Sequence, residues 1–131
     1  MSKSDMKAFV ATRVSGESRE KLLTFLEALK DALRSADVEP YITELAPPQP
    51  DDGNKLLRAF EHIAESDLLI VIYKLGSASE GMSAEIGYAY GKKSIWIYAE
   101  RGSESKLFAC ADKLEYWGDE SELLRKIETT K

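Results

Sequence analysis

Two short apolar runs, separated by the length of one helix, most constrain how this chain can fold. The first is LLIVIY, residues 68–73, and the second is SIWIY, residues 94–98. Runs of this length and composition are typical of buried strands. Between them we predict a helix over residues 80–90, with Ser79 as its N-cap. Strand, helix and strand in this order predict a βαβ unit, in which both strands run parallel.

The same alternation continues on both sides of this unit. We predict further strands over 8–11, 40–43 and 114–117. Further helices are predicted from an N-cap at Ser18 or Ser15 to about residue 35, over 54–65 and over 120–128. Residues 44–53 contain three prolines and are predicted to be loop. The sequence therefore predicts an α/β fold in a single domain, residues 1–131: a flavodoxin-like (Rossmann-like) three-layer sandwich. Its five-stranded parallel sheet is expected in the order 2-1-3-4-5.

Apolar residues at helical spacing predict which helix faces are buried. In the second helix the predicted stripe is Leu56, Leu57, Phe60 and Ile63. In the third helix the predicted core face is Ile86, Ala89 and Tyr90. Gly87 lowers helix propensity, so we expect it to lie where the third helix approaches the sheet closely.

The composition excludes several classes of partner. The net charge is -5 and no run of Lys or Arg forms a basic stripe, so neither duplex nucleic acid nor an acidic membrane is expected as a partner. No apolar run approaches membrane-spanning length, and the first residues lack the apolar segment of a signal peptide, so we expect a cytoplasmic protein. The single cysteine, Cys110, excludes an internal disulfide and a Cys-based zinc cluster.

The loops that follow the first and third strands meet at the switch point of such a sheet, where ligands bind. Polar or glycine residues in these loops are Thr12, Arg13, Ser15, Gly16, Ser79 and Gly81. Hydroxyls and helix N-termini bind anions, and the planar guanidinium of Arg13 suits a phosphate or a carboxylate. The loops therefore predict a site for a small anionic ligand of nucleotide type.

Glu85 lies one turn inside the third helix, next to this site. The ordinary expectation for a helical glutamate is a solvated side chain, here one that pairs with Lys92 or Arg13. A carboxylate buried near the mouth of a site is costly unless it has a partner or a task. The residues alone leave these two interpretations open.

The segment GMSAEIGYA, residues 81–89, resembles the G-x-x-x-E-I/L-G-x-A signature of the nucleoside 2-deoxyribosyltransferase-like family. This family includes the 2'-deoxynucleoside 5'-monophosphate N-glycosidases. Further matches are FVA at 9–11, followed by a Ser-Gly loop, ITE at 42–44 and SD at 66–67. The resemblance extends over nearly the whole chain in the order of its elements.

The resemblance implies that Glu85 is a nucleophile, which attacks the anomeric carbon of a ribosyl group and displaces the base. A carboxylate suits this role because the transition state is oxocarbenium-like. Ser79 falls where the transferases tend to carry Asp and the monophosphate hydrolases carry Ser, which implies a contact with a 5'-phosphate. Arg13 lies one residue from the family's phosphate-binding Arg. No metal and no cofactor are implied.

The chain departs from the family at Ala59, which sits roughly where the family places an Asp. Proton donation to the leaving base then lacks an obvious source, and Glu61, Asp51 and Asp52 are the candidates. A non-catalytic nucleotide-binding or sensing domain is therefore one alternative, and a TIR-like NAD glycohydrolase is another. His62 is expected to be a solvated residue of the second helix.

The resemblance also implies at least a homodimer, because the family completes its sites with residues from a neighbouring subunit. Residues 101–106 correspond to such a segment, and Ser103 or Ser105 would then reach the phosphate in the neighbour's site. The aromatic residues of the last two strands are expected in the core or at a subunit interface: Trp96, Tyr98, Tyr116 and Trp117.

Overall fold

Five parallel strands form one central sheet. They are β1 (Met6–Thr12), β2 (Val38–Ile42), β3 (Leu68–Tyr73), β4 (Ser94–Glu100) and β5 (Lys113–Trp117). Their order in the sheet is β2-β1-β3-β4-β5, so the predicted fold class and strand order are confirmed. The structure is a computed structural model that describes residues 6–12, 18–46, 52–76 and 79–129.

Four helices cover the two faces of the sheet. They are α1 (Arg19–Ser35), α2 (Asp52–Glu65), α3 (Glu80–Ala89) and α4 (Glu120–Glu128). Helices α1 and α4 contact each other over one hydrophobic core, and α2 and α3 contact each other over the other. The result is the three-layer arrangement expected for alternating strands and helices.

The central strand, β3, is buried at all six of its positions. Its side chains alternate between the core under α1 and α4 and the core under α2 and α3. A strand with helices on both faces must be apolar at every position, which accounts for the uninterrupted apolar run in the sequence.

Serine side chains fix the starts of two helices. Ser18 accepts a hydrogen bond from the backbone N–H of Lys21 at 3.2 Å, and it begins α1. Ser79 accepts one from the backbone N–H of Met82 at 3.0 Å, and it begins α3 as predicted. The second cap lies shortly after the end of β3, so it places the N-terminus of α3 at the carboxyl edge of the sheet.

The buried face of α2 differs from the prediction. Leu57 is 58% exposed, whereas Ala59 and Ile63 are buried against the sheet. Leu56 and Phe60 are half-buried beside them. Positions 56, 59, 60 and 63 lie on one side of a helix, and Leu57 is rotated about 100° away from Leu56. Including Leu57 in the stripe was therefore wrong.

The core face of α3 also differs in part. Ile86 and Ala89 are buried as predicted, but Tyr90 is 62% exposed. The helix ends at Ala89, and Tyr90 has an extended backbone, so its side chain leaves the helical stripe. A Cβ built on Gly87 meets no atom within 4 Å, so the predicted close approach of this residue to the sheet is wrong.

The aromatic residues of β4 and β5 divide between core and surface. Tyr98 and Trp117 are buried, and the indole N–H of Trp117 donates to the backbone oxygen of Tyr98 at 3.0 Å. Trp96 is half-buried, and Tyr116 is 38% exposed.

Within the described residues, no helix combines the length and the apolar character needed to span a membrane.

Candidate functional site

A pocket of about 250 Å³ lies at the carboxyl edge of the sheet, beside the N-terminus of α3. Its walls come from the end of β1, the turn after β2, the first half of α2 and the first half of α3. This is the place where an open α/β sheet of this strand order binds ligands. The polar lining residues are Thr12, Thr43, Glu44, Lys55 and Glu85.

Glu85 is brought to this pocket by the way α3 packs. Met82, Ile86 and Ala89 are buried against the sheet, and Glu85, one residue before Ile86, lies half-buried at the pocket wall. Burial, and secondly the negative charge of Glu44, raise the pKa of Glu85 from 4.5 to about 7. Of the two salt-bridge partners expected for a solvated Glu85, Lys92 instead lies over the ring of Tyr88, and Arg13 lies outside the described residues.

Glu44 is a second carboxylate in the same pocket. It belongs to a 3-10 turn, Thr43–Leu45, that directly follows β2. Because Ile42 pairs with Val10, this turn runs alongside the end of β1, where Thr12 also lines the pocket. Burial raises the pKa of Glu44, while its own backbone N–H and the charges of Lys55 and Arg19 oppose that rise.

Glu44 and Lys55 were not predicted from the sequence as site residues. Glu44 was predicted to begin a loop and was otherwise only part of the ITE match. A signal for it was nevertheless present, because a polar residue directly after a parallel strand lies at the same edge as those after β1 and β3. Lys55 has no comparable signal, since a lysine near the start of a helix is usually a solvated residue.

Two predicted binding residues line the pocket. The hydroxyl oxygen of Thr12 is buried, and it has no hydrogen-bond partner among the described residues. Such a group is available to a ligand, because buried polar atoms in native structures are normally paired. A Cβ on Gly81 would lie 3.9 Å from the Ser79 oxygen, so the glycine leaves space in the pocket rather than relieving a clash.

Two other predicted residues lie at the same edge of the sheet but outside the described pocket lining. Ser79 is exposed, and its oxygen serves as the cap acceptor, so its hydroxyl hydrogen can still donate to a ligand. Ser105 follows β4 and accepts from the backbone N–H of Leu107 at 3.1 Å. Arg13, Ser15 and Gly16 lie outside the described residues.

Of the candidates for a second catalytic carboxylate, the one whose side chain the structure describes, Glu61, does not line the pocket. Ala59 lines it and offers only a methyl group, and Glu61 is exposed on α2. Asp51 and the side chain of Asp52 lie outside the described part of the structure. His62 is half-buried rather than solvated, because its ring stacks on Tyr41 with the centroids 3.8 Å apart.

Solved structures with the same fold include nucleoside-processing enzymes. A 2-deoxyribosyltransferase from Bacillus psychrosaccharolyticus matches with a TM-score of 0.69 and 21% identity over 95% of this chain and 92% of that chain. The CMP N-glycosidase of Clostridium botulinum matches with a TM-score of 0.68 and 19% identity over 95% of this chain and 99% of that chain. These neighbours support the resemblance to the nucleoside 2-deoxyribosyltransferase-like family, and at such identities they show the fold.

The same fold also occurs in a different class of enzyme. An NAD(P)H:quinone oxidoreductase from Methanothermobacter marburgensis matches with a TM-score of 0.56 and 10% identity over 95% of this chain and 96% of that chain. No protein-family model matches the sequence, and no curated protein matches it. Function must therefore be argued from the pocket and its residues, because a fold by itself does not specify chemistry.

Proposed function

We propose that this protein cleaves or transfers at the N-glycosidic bond of a nucleoside 5'-monophosphate, with Glu85 as the nucleophile. The observation that carries the proposal is the position of Glu85, half-buried in a pocket at the ligand-binding edge of the sheet. The names of two structural neighbours, a 2-deoxyribosyltransferase and a CMP N-glycosidase, agree with this reaction class.

In this reaction a carboxylate oxygen of Glu85 forms a bond to C1' while the bond from C1' to the base breaks. The covalent ribosyl intermediate is then resolved by water or by a second base, which regenerates the carboxylate. Burial suits Glu85 to this role, because a poorly solvated carboxylate interacts more strongly with the positive charge that develops on the sugar.

The phosphate is proposed to bind at the N-terminus of α3. Ser79 and the first backbone N–H groups of this helix lie at the sheet edge, where a helix N-terminus favours an anion. Thr12, at the end of β1, offers a hydroxyl that has no partner among the described residues, and Gly81 leaves space. Arg13, Ser15 and Gly16 are proposed to complete the phosphate site from the loop after β1.

A non-catalytic nucleotide-binding or sensing role is the second candidate. It is favoured by Ala59, which lines the pocket where the family carries an Asp. A sensor and an enzyme differ in turnover rather than in binding, so a measurement of base release separates them.

The test is release of free base from a panel of ribo- and deoxyribonucleoside 5'-monophosphates and the corresponding nucleosides, followed by chromatography. We expect turnover of at least one monophosphate and a loss of at least about 100-fold in Glu85→Gln. Glu128→Gln is the matched control, because Glu128 is exposed at the end of α4, outside the described pocket lining. Nucleotide binding without base release by the unaltered protein would support the sensor role instead.

A further inference from the structure

Two carboxylates, Glu44 and Glu85, share the described lining of one pocket. They come from different elements, the turn after β2 and helix α3, and the charge of Glu44 acts on Glu85. Placing two acidic groups in one half-buried pocket is costly, because each disfavours the ionisation of the other. Such an arrangement is typical of sites that use one carboxyl group as an acid and the other as a carboxylate.

Cleavage of an N-glycosidic bond generally needs both of these groups. The nucleophile attacks C1', and an acid protonates the base so that it departs neutral. Ala59 cannot supply a proton, and Glu61 is exposed outside the pocket lining. Among the described lining residues, Glu44 is the carboxyl group that remains beside Glu85.

We propose that Glu44 is the second catalytic carboxylate, which donates a proton to the departing base while Glu85 attacks C1'. This inference rests on the proposed function. In the first step the electron pair of the broken C1'–N bond goes to the base, and the proton of Glu44 is added to the base. In the second step Glu44 takes a proton from water, the water oxygen bonds to C1', and the carboxylate of Glu85 leaves.

The charges around the pair fit a shared proton. Glu44 is near the cations Lys55 of α2 and Arg19 of α1, and the charge acting on Glu85 is that of Glu44. In the free protein these cations oppose the effect of burial on Glu44, whereas burial and the charge of Glu44 favour the protonated form of Glu85. A base nitrogen that accepts a hydrogen bond from Glu44 stabilises its neutral form and moves the proton to it, which releases Glu85 for attack.

The first measurement uses the most reactive monophosphate of the panel and follows kcat against pH. If activity needs one proton on the two carboxyl groups of Glu44 and Glu85, kcat gives a bell-shaped pH profile. Its alkaline side falls when this proton is lost. Glu44→Gln is expected to lower kcat by about 100-fold or more and to remove this alkaline fall. Glu61→Gln, an exposed change on α2, should keep the profile of the unaltered protein.

The second measurement uses ribosyl fluoride 5-phosphate, because fluoride is a good leaving group that does not need a proton from Glu44 to depart. We expect Glu44→Gln to release the first equivalent of fluoride, the burst that precedes hydrolysis of the intermediate, within about tenfold of the normal rate, while Glu85→Gln loses this burst as well. Equal losses in nucleotide cleavage and in the fluoride burst, or an alkaline fall that persists in Glu44→Gln, would overturn the role of Glu44.

The outcomes separate this inference from the function on which it rests. If the unaltered protein cleaves no monophosphate, the proposed function fails, and the role of Glu44 fails with it. If it cleaves a monophosphate and Glu85→Gln is inactive, but Glu44→Gln keeps full turnover, only the inference about Glu44 is wrong. Thermal unfolding of each variant is the control that distinguishes loss of activity from loss of folding.

Discussion

At the scale of single residues, the pocket holds its acidic groups at a cost to stability. Burial raises the pKa of Glu85 to about 7 from 4.5, so the folded protein holds a proton that the unfolded chain has already released between these values. Stability is therefore expected to fall as the pH rises from about 4.5 to about 7, since the folded state binds more protons there.

This cost predicts that Glu85→Gln stabilises the protein at alkaline pH. The gain should be near zero at pH 4, where Glu85 is largely protonated in both the folded and the unfolded state, and reach up to about 3 kcal/mol at pH 8. Urea unfolding at both pH values measures it, with Glu80→Gln as the exposed control on the same helix. An equal effect of Glu85→Gln at the two pH values would contradict the raised pKa.

Ser79 allows the choice of ligand to be tested without removing a helix cap. Asp accepts a hydrogen bond at an N-cap as well as Ser does, so Ser79→Asp should preserve α3 while placing a negative charge beside the proposed phosphate. We expect thermal stabilisation by nucleoside monophosphates to be lost or reversed relative to nucleosides. Ser94→Asp adds the same charge at the exposed start of β4, on the opposite edge of the sheet, and should leave ligand preference unaltered.

At the scale of elements, the sequence predicted the strands and helices because each has a clear periodicity and a clear stop. Strand β3 and helix α4 have the predicted bounds, and the caps Ser18 and Ser79 mark the starts of α1 and α3. The errors lie where tertiary packing decides. The rotation of α2 over the sheet exposes Leu57, and the end of α3 releases Tyr90 from the helix.

The site was predictable only in part, for a related reason. Glu85, Thr12 and Gly81 follow from the strand ends and from the helix motif, and all three line the pocket. Glu44 reaches the same pocket because β2 pairs with β1 and because a tight turn follows β2. The prolines of residues 44–53 predicted only a loop there. Such proximity between distant parts of the chain depends on three-dimensional packing, which local patterns do not contain.

Gly87 gives a prediction for α3 as an element. It lies exposed in the helix interior, and a Cβ added to it would have no atom within 4 Å. Gly87→Ala is therefore expected to stabilise the protein by about 0.5–1 kcal/mol, through higher helix propensity, as measured by urea unfolding. Gly91→Ala is the contrasting variant, because Gly91 has φ +82° and an alanine there is strained. A destabilised Gly87→Ala would indicate a packing role for this glycine in an assembly.

At the scale of the whole molecule, we propose that the protein is a homodimer in which Ser105 serves the neighbour's site. Ser105 lies at the carboxyl edge after β4, outside the described pocket lining of its own chain. Light scattering at micromolar concentration is expected to give a dimer. A monomer that turns over nucleotide would contradict the shared site.

Mixed dimers test the role of Ser105 directly. In a dimer of Glu85→Gln with Ser105→Ala, one site has an intact Glu85 and also receives the intact Ser105 of the other chain. We therefore expect activity above that of either variant alone after unfolding and refolding them together. If Ser105 acts within its own chain, no site in the mixed dimer is intact and the mixture shows no gain.

The burial of β3 on both faces has a consequence for local opening of the protein. A strand covered by two helical layers and paired on both edges is expected to exchange its backbone amide hydrogens only when the whole domain unfolds. The turn after β2 and the first turn of α3 are more exposed, so they can open without it. The walls of the pocket are therefore expected to exchange their amide hydrogens faster than β3, by local opening that leaves the sheet intact.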